Sequence, residues 1–342
     1  NGGSGIKLAA YSSGLHWHND EEPMIPYISH DNIISDNVCS YNQQAPTVNS
    51  GIYLQAPLKN IIVEGNQCNH QARGIRSVFT NPDYTINNVT IKNNICEDVE
   101  AYGISIIANS HAIIEGNTTD HTISVTGQSG SLRNFDSVLK NNICEHLLTN
   151  HCERLTVQGN TTQTIQPING ADVDYIGNTI NAQDSTIDLG RVRRFDRNIV
   201  TFTGEGRLET ETIHMIRSIC GNIINSEYST TGRYVITTSF NAGPPVLKVC
   251  DNIFNCNSRV IRGYVGKVMI SNNIFNFDES EEYYGTAIDC FGDGWVISGN
   301  VGSVPYSIML REGTENNIVT GNNGSVIGES GSLDNNIISA NM

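Results

Sequence analysis

Apolar and polar residues alternate in a short unit that recurs along the chain beside a fixed asparagine. One copy is Val89–Cys96, which reads Val-Thr-Ile-Lys-Asn-Asn-Ile-Cys, and its second asparagine, Asn94, marks the register. The equivalent mark falls at Asn37, Asn66, Asn94, Asn117, Asn142, Asn160, Asn178, Asn198, Asn222, Asn252, Asn273, Asn300, Asn322 and Asn336. The residue three positions before each mark is apolar or aromatic, and the residue five before is usually apolar. A period of two predicts β-strands with one buried face.

The marks themselves predict corners between strands. Asn, often preceded by Gly or Asn, tolerates a left-handed backbone and turns the chain sharply. An apolar residue returns two positions after the mark, as at Cys39, Cys68 and Ile180, so a second strand begins there. One such strand cannot bury its apolar face alone, whereas stacked coils share a continuous core and asparagines can bond along the stack. We therefore predict an all-β fold, a parallel β-helix of about 13–14 coils.

The spacing of the marks bears on domain organisation. It runs from 14 residues (336 − 322) to 30 (252 − 222), so insertions are expected in loops on one side of the solenoid, usually the binding side. The repeat predicts one elongated domain over residues 1–342, because a solenoid escapes the usual limit on core size. Since the sequence begins Asn-Gly-Gly-Ser without Met, we expect a fragment of a longer chain.

Charge narrows the possible partners. The formal net charge is −15 and the pI is about 4.9. Nucleic acid and anionic membranes are disfavoured, because both attract basic surfaces, and no apolar run is long enough to span a bilayer. An anionic polysaccharide remains compatible with this charge, since a local arginine patch can act against the net field.

The nine cysteines are read as buried thiols. Cys39, Cys68, Cys96 and Cys144 occupy the same inward position after the mark, where free Cys packs as a small hydrophobe. Reduced core cysteines are expected rather than disulfides or metal ligands, and this suits folding in a reducing cytoplasm. His16 and His18 lie near acidic residues but lack a third spaced ligand, so we predict neither a metal site nor a cofactor.

Charged residues concentrate in residues 184–217 and interrupt the repeat there. Glu209 and Glu211 follow Leu208 at alternate positions and should therefore point to one face. A local break in a consistent pattern is where function is expected. An ionic ladder on the outer surface is an equally good interpretation.

The coil unit resembles the right-handed β-helix of the pectin-lyase-like superfamily, and within it the tailspike depolymerases of bacteriophages. The resemblance rests on Ile114–Thr119, Val157–Thr162 and Ile297–Gly302, on the Gly-Ile-Lys-Leu strand that begins at Gly5, on unpaired cysteines and on the acidic pI. It includes no catalytic motif, since the Gly-His-Gly of polygalacturonases and the Asp-Pro-His of alginate epimerases are absent. The resemblance implies a homotrimer on a virion tail, made in the host cytoplasm, that binds and cleaves a bacterial surface polysaccharide with acidic groove residues.

Coil geometry narrows the candidate acids. Successive coils lie about 4.8 Å apart, as paired strands do. Asp188 and Glu211 fall on neighbouring coils, so their carboxyl groups can lie about 5 Å apart, the range of a retaining glycosidase. We predict catalysis by Asp188 with Glu209 or Glu211, one as general acid and the other as nucleophile or as base for a water.

A second group is predicted to bind substrate. Counting eleven residues back from the marks places Arg262, Asp289 and Arg311 in one column. Asp289 is then about 14 Å from Glu211, three coils away. Arginine forks grip carboxylates and hydroxyls, and His214 is assigned to the same role. An Arg-Asp-Arg surface ladder is the structural alternative. Aromatic residues such as Trp17, Tyr53, Tyr264, Tyr283 and Tyr284 can stack on sugar faces.

Three functions remain open at this point. The first is an endo-acting hydrolase of capsule or O-antigen. The second is a polysaccharide lyase that uses His or Tyr with Arg against a uronate. The third is a receptor-binding spike without catalysis. A secreted bacterial protein is a further alternative to the virion tail.

Overall fold

The structure is a computed structural model that describes residues 5–9, 29–40, 49–55, 57–78, 86–107, 109–127, 134–168, 172–189, 192–209, 216–226, 234–238, 246–256, 259–264, 267–277, 286–303, 306–329, 331–339 and 341. Contacts between Cα atoms divide the chain into two compact units, Asn1–Gly170 and Ala171–Met342. The described residues form strands, turns and bends without a helix, and no helix among them is long and apolar enough to cross a membrane.

The first unit contains short parallel strands: β1 (Ile6–Ala9), β2 (Ser29–Ser35), β3 (Val38–Ser40), β4 (Ser50–Gln55), β5 (Leu58–Glu64), β6 (Gln67–Asn69), β7 (Gln71–Val78), β8 (Ile86–Lys92), β9 (Ile95–Cys96), β10 (Val99–Ile107), β11 (Asn109–Ser110), β12 (Ile113–Glu115), β13 (Thr118–Thr119), β14 (Thr122–Thr126), β15 (Asn134–Phe135), β16 (Val138–Lys140), β17 (Ile143–Asn150), β18 (Cys152–Glu153), β19 (Thr156–Gln158) and β20 (Thr161–Ile168). They belong to two sheets. One holds β2, β5, β8, β11, β12, β15, β16, β18 and β19, and the other holds the rest.

The second unit continues the same kind of strand: β21 (Val173–Ile176), β22 (Thr179–Ala182), β23 (Thr186–Asp188), β24 (Val192–Asp196), β25 (Ile199–Phe202), β26 (Arg207–Glu209), β27 (Ser218–Cys220), β28 (Ile223–Ser226), β29 (Tyr234–Thr238), β30 (Leu247–Cys250), β31 (Ile253–Cys256), β32 (Arg259–Gly263), β33 (Val268–Ser271), β34 (Ile274–Asn276), β35 (Thr286–Cys290), β36 (Val296–Ser298), β37 (Val301–Gly302), β38 (Ser307–Leu310), β39 (Ile318–Thr320), β40 (Ser325–Gly328) and β41 (Ile337–Ser339).

Each full coil of the second unit contributes one strand to each of three sheets. We call them the first sheet (β21, β24, β27, β30, β33, β36, β39, β41), the second sheet (β22, β25, β28, β31, β34, β37) and the third sheet (β23, β26, β29, β32, β35, β38, β40). All-β architecture with long runs of parallel pairing confirms the predicted fold and is consistent with a right-handed parallel β-helix.

The core consists of inward columns that match the predicted register. Ile34, Val63 and Ile91 are Cα partners on successive coils of the first unit, and all three are buried. Phe195, Ile219 and Val249 play the same part in the second unit, fully buried. Burial of such side chains contributes about 1.5–3 kcal/mol each, and this is the main force that holds the coils together.

Asparagine ladders run through both units beside these columns. The Nδ2 of Asn66 donates to Asn94 Oδ1 at 2.9 Å and to the backbone oxygen of Ile34 at 2.9 Å. In the second unit Asn198 donates in the same way to Asn222 Oδ1, at 3.1 Å. The sharp turn is made by the residue before the mark, which has positive φ, for example Gly65 at 65° and Asn93 at 53°. The marks therefore serve hydrogen bonding, and their predecessors serve the turn.

One predicted mark is wrong. Asn322 Nδ2 donates to Asn341 Oδ1, and Val319 pairs with Ile338, so the last rung is Asn341 rather than Asn336. Leu333, which the prediction placed in the core, is 43% exposed. The final coil repeats an Asn–Asn–Ile sequence one corner early, and a pattern match alone cannot tell the two corners apart.

The cysteine prediction holds for most positions and fails for two. Cys39, Cys68, Cys96 and Cys144 are buried and free, as are Cys152, Cys256 and Cys290. Cys220 and Cys250, in contrast, form a disulfide between neighbouring strands of the first sheet. Their side chains point outward, two positions before the marks, where no core packing holds them apart. The expectation of free thiols is therefore wrong at these two positions.

Candidate functional site

The outer face of the third sheet gathers most of the residues that were predicted to act. Asp188, Glu209, Thr237, Arg262, Asp289, Met309 and Ile327 are Cα partners on successive strands from β23 to β40. Their chain neighbours Ile187, Leu208 and Ile288 are fully buried, so strand alternation turns this column outward. We call this set of seven the outer column.

Asp188 and Glu209 lie side by side at one end of the outer column. They are direct register partners on β23 and β26, which places their backbones about 4.8 Å apart. The pairing selects Glu209 as the neighbour of Asp188. Asp188 is exposed, whereas the Glu209 side chain is 12% exposed and forms a salt bridge with Arg207. Glu211 and His214 lie outside the described residues.

Arg311 does not occupy the column position that was predicted. Met309 is the register partner of Asp289, and Arg311 lies two residues further along the chain. Arg311 belongs instead to a parallel row with Tyr264 and Phe291, linked by backbone bonds from Phe291 N to Gly263 O and from Arg311 N to Cys290 O. The prediction went wrong because the coils differ in length, so counting back from the marks shifts the register by two residues.

Arg311 nevertheless binds Asp289, because its side chain extends diagonally across the sheet from a position two residues beyond the strand partner of Asp289. The carboxylate is fully buried and accepts hydrogen bonds from Arg311 Nε at 2.5 Å and Nη2 at 2.8 Å. Tyr234 donates its hydroxyl to the same carboxylate at 2.5 Å, and Arg259 donates to the Tyr234 hydroxyl oxygen at 3.1 Å. A bidentate guanidinium and a phenol satisfy both oxygens, and this makes the burial of the charge tolerable.

Arg262 is surrounded by aromatic rings. Its guanidinium carbon lies 4.5 Å from the centroid of Tyr264, 5.0 Å from that of Phe291 and 5.2 Å from that of Tyr234. Tyr264 and Phe291 stack on each other at 4.9 Å. The buried Nε of Arg262 has no hydrogen-bond partner among the described residues. The rings therefore hold the guanidinium by cation–π contacts, and its Nε is a buried donor that the described residues leave without an acceptor.

The electrostatics of the cluster follow from these contacts. The hydrogen bond to Asp289 raises the pKa of Arg311 further above its usual range, and Glu329 adds to this through a bond from Arg311 Nη1 at 2.7 Å. Burial, followed by the nearby Asp289 carboxylate, raises the pKa of Tyr234. Arg311 therefore stays charged and Tyr234 stays a neutral phenol at neutral pH.

Three members of this site escaped prediction from the sequence. Tyr234, Arg259 and Phe291 contact the predicted residues, but Tyr234 and Asp289 are separated by 55 positions. Their proximity depends on the third-sheet register, which the asparagine marks do not encode. Tyr264 was predicted as a stacking aromatic, whereas Trp17, Tyr283 and Tyr284 lie outside the described residues. Tyr53 lies in the first unit, with Lys7 Nζ 5.6 Å from its ring centroid.

In the part of the chain that the structure describes, no group of three or more His, Cys, Asp or Glu side chains is placed to hold a metal ion. Comparison with known protein families finds no family model that matches the chain. Comparison with curated proteins finds no significant match.

Proposed function

We propose that this chain binds a polysaccharide along the outer column and hydrolyses a glycosidic bond of it, with Asp188 and Glu209 as the catalytic pair. The observation that carries the proposal is the direct register of these two acids on neighbouring strands. A strand separation of about 4.8 Å matches the separation of about 5–5.5 Å between the carboxyl groups of retaining glycosidases.

The surroundings of the two acids suggest their roles. Glu209 already accepts a hydrogen bond from Arg207 Nε, so its carboxylate is fixed in position and suits attack on the sugar or activation of a water. Asp188 is then assigned the other role, protonation of the leaving oxygen. Thr237 and then Arg262 follow Glu209 along the outer column. Arg262, with Tyr264 and Phe291, then forms a binding subsite about 10 Å from Glu209, two strand spacings away.

The identity of the polysaccharide follows from the resemblance to tailspike depolymerases. We propose a bacterial capsule or O-antigen as substrate and a homotrimer on a virion tail as the assembly. Aromatic rings beside arginine are the side chains that sugar recognition uses, through stacking and bidentate hydrogen bonds.

The test is incubation with a panel of purified capsules and O-antigens, followed by measurement of fragment size and new end groups. D188N and E209Q should each lower the rate of fragmentation by about 100-fold or more. D251N provides the matched control, because Asp251 is an exposed acid at a corner with positive φ, which Asn tolerates. Undiminished cleavage by both D188N and E209Q would remove the assignment.

A lyase is the second candidate, because Arg262 lies among Tyr234 and Tyr264 with an unpartnered Nε. In a lyase the arginine neutralises a uronate carboxylate, and a tyrosine in its phenolate form removes the proton from the carbon beside that carboxylate. The carbon–oxygen bond to the leaving sugar then breaks to leave a double bond in the new non-reducing end, and the tyrosine returns the proton to the departing oxygen. Ultraviolet absorbance of that unsaturated sugar separates elimination from hydrolysis. R262Q and Y264F should abolish it if elimination is the reaction, whereas E209Q should not.

A further inference from the structure

A second feature of the second unit lies on a different sheet and concentrates positive charge. A cavity of about 650 Å³ on the first sheet is lined by Arg193, Arg194, Arg217, Ser218, Val246 and Lys248. None of these residues is acidic, although the whole chain carries a formal net charge of −15. A local cluster of one sign against the net charge of the protein creates a field that draws in ligands of the opposite sign.

A β-bulge places two of the arginines. Val173 pairs with Val192 and Asp174 pairs with Arg194, so Arg193 is the extra residue on β24. Bulges re-aim side chains, and here both guanidinia reach the buried carboxylate of Asp174. Burial opposes ionisation of Asp174, but the hydrogen bonds from Arg193 and Arg194 outweigh it and hold the pKa of Asp174 below its usual value. One buried carboxylate thus orients two arginines whose side chains remain 36% and 45% exposed.

The remaining cations follow on the next two coils. Arg217 N donates to Arg193 O at 2.8 Å, and Lys248 N donates to Arg217 O at 3.0 Å. The three residues are therefore neighbours on successive coils. Arg217 and Lys248 are exposed, and neither side chain has an ion-pair partner among the described residues. Nearby acids are Asp172, beside Arg193, and Asp196, whose oxygens accept hydrogen bonds from Ser218 Oγ at 2.8 and 3.0 Å.

The shape of the cavity limits its ligand. Its cations lie on β24, on β27 or just before it, and on β30, and they therefore extend over about 10 Å, two strand spacings. Its volume falls within the range of about 300–1,000 Å³ that small-molecule sites occupy, which is larger than one bare anion needs. Val246, 39% exposed, adds an apolar surface. Arginine forks match planar carboxylates and ester oxyanions.

We infer that this cavity binds a short acidic saccharide whose negative groups, carboxylates or sulfate or phosphate esters, meet Arg193, Arg194, Arg217 and Lys248. The anion recognition stands on charge and geometry alone, whereas the choice of a saccharide rests on the proposed function. The site is distinct from the outer column, because it belongs to another sheet of the unit. It would hold an acidic glycan at a second point beside the reacting one.

The test is isothermal titration calorimetry on the intact chain with defined probes. Trigalacturonate and a sulfated trisaccharide represent the two sources of charge, maltotriose is the neutral match, and inorganic sulfate is the bare anion. We expect one or both acidic trisaccharides to bind, with affinity that falls at high salt, and maltotriose not to bind. Binding of inorganic sulfate as tight as that of the better trisaccharide would overturn the saccharide assignment.

Variants locate the binding. R217Q and K248Q should each weaken the acidic trisaccharide by about tenfold or more, because each removes a charge-assisted hydrogen bond. Neither side chain forms an ion pair with the residues that the structure describes, so thermal melting should be unchanged. K59Q removes the same charge from an exposed position in the first unit and should bind as the unaltered chain does. Equal affinity for R217Q, K248Q and K59Q, or no binding of any acidic probe, would refute the site.

This experiment also separates the two proposals. It measures binding of trisaccharides and needs no cleavage, so it can succeed even if every polysaccharide in the panel stays intact. R262Q removes the cation of the outer column and should bind the acidic trisaccharide with unchanged affinity, because Arg262 lies on the third sheet. Loss of that binding in R262Q would place the ligand on the outer column and would count against the cavity.

Discussion

Asp289 and Asp174 are both buried aspartates held by arginine, yet their surroundings differ. Asp289 is enclosed by Arg311, Tyr234 and aromatic rings, and its arginine is 24% exposed. Asp174 is held by two arginines that are each more exposed, beside two further cations with no ion-pair partner among the described residues. The first arrangement satisfies its charges internally. The second leaves positive charge available, so the comparison teaches that similar ion pairs can serve stability in one place and ligand binding in another.

Loss of Asp289 should have the largest effect on stability. D289A leaves Arg311 and the Tyr234 hydroxyl without their acceptor inside a closed cluster, so we expect a loss of about 3–5 kcal/mol in the free energy of unfolding. Urea denaturation followed by circular dichroism measures it. D251N, at an exposed corner, should change the free energy by less than about 0.5 kcal/mol. A cost for D289A as small as that of D251N would show that the cluster is not closed.

Loss of the disulfide should have the next largest effect on stability. The disulfide joins the two strands that carry Ser218 and Lys248. The C220S/C250S double variant should lose about 3.6 kcal/mol, as expected for a loop of 30 residues. In denaturant the unreduced chain should show seven reactive thiols, rising to nine after reduction. Nine thiols without reductant would mean that Cys220 and Cys250 are not bonded.

Removal of Asp174 should cost less than removal of Asp289. D174N should lose about 2 kcal/mol at pH 7, because Arg193 and Arg194 can regain water when their partner is neutral. The pKa of Asp174 is lower in the folded chain than in the unfolded chain, so its contribution is present above about pH 4 and is lost as the pH falls through the folded value. The difference in stability between the unaltered chain and D174N should therefore shrink below pH 4. A constant difference across that range would contradict the ion pair.

The Tyr234 hydroxyl should have the smallest effect of the four. Y234F removes one donor to the Asp289 carboxylate while Arg311 remains, so a loss of about 1–2 kcal/mol is expected. A double-mutant cycle with D289N measures the coupling directly. Additive effects in that cycle would show that the phenol does not share in holding the carboxylate.

The fold could be predicted because its determinants are local. An apolar residue three positions before each asparagine, as at Ile91 before Asn94, specifies a buried strand, and the residue before the mark supplies the turn. Each coil repeats this within a few residues, so one pattern suffices for thirteen of the fourteen marks. The prediction fails in the final coil because Asn336 and Asn341 each have an apolar residue three positions before them. Only the hydrogen bond from Asn322 to Asn341 distinguishes the two.

The site was predicted less well because its register depends on loop length. Asp188 lies ten residues after Asn178, Glu209 lies eleven after Asn198, and Thr237 lies fifteen after Asn222, although the three are strand partners. A constant count from the marks therefore selects the wrong residue in some coils, as it did for Arg311. The bulge at Arg193 likewise depends on the alignment of neighbouring coils, and no signal in the strand alone reveals it. Cys220 and Cys250, in contrast, each lie two positions before successive marks, so the register of the marks is the signal that could have placed them side by side.

The even rise of the third sheet has a consequence for selectivity. Its outward side chains are spaced in steps of about 4.8 Å, like graduations on a ruler. A linear polymer that lies along them keeps its contacts only if it shifts by a whole number of strand spacings. A chain whose chemical repeat is not commensurate with that step will meet Arg262 and the two acids out of phase, so periodicity itself becomes a criterion by which this surface can discriminate among glycans.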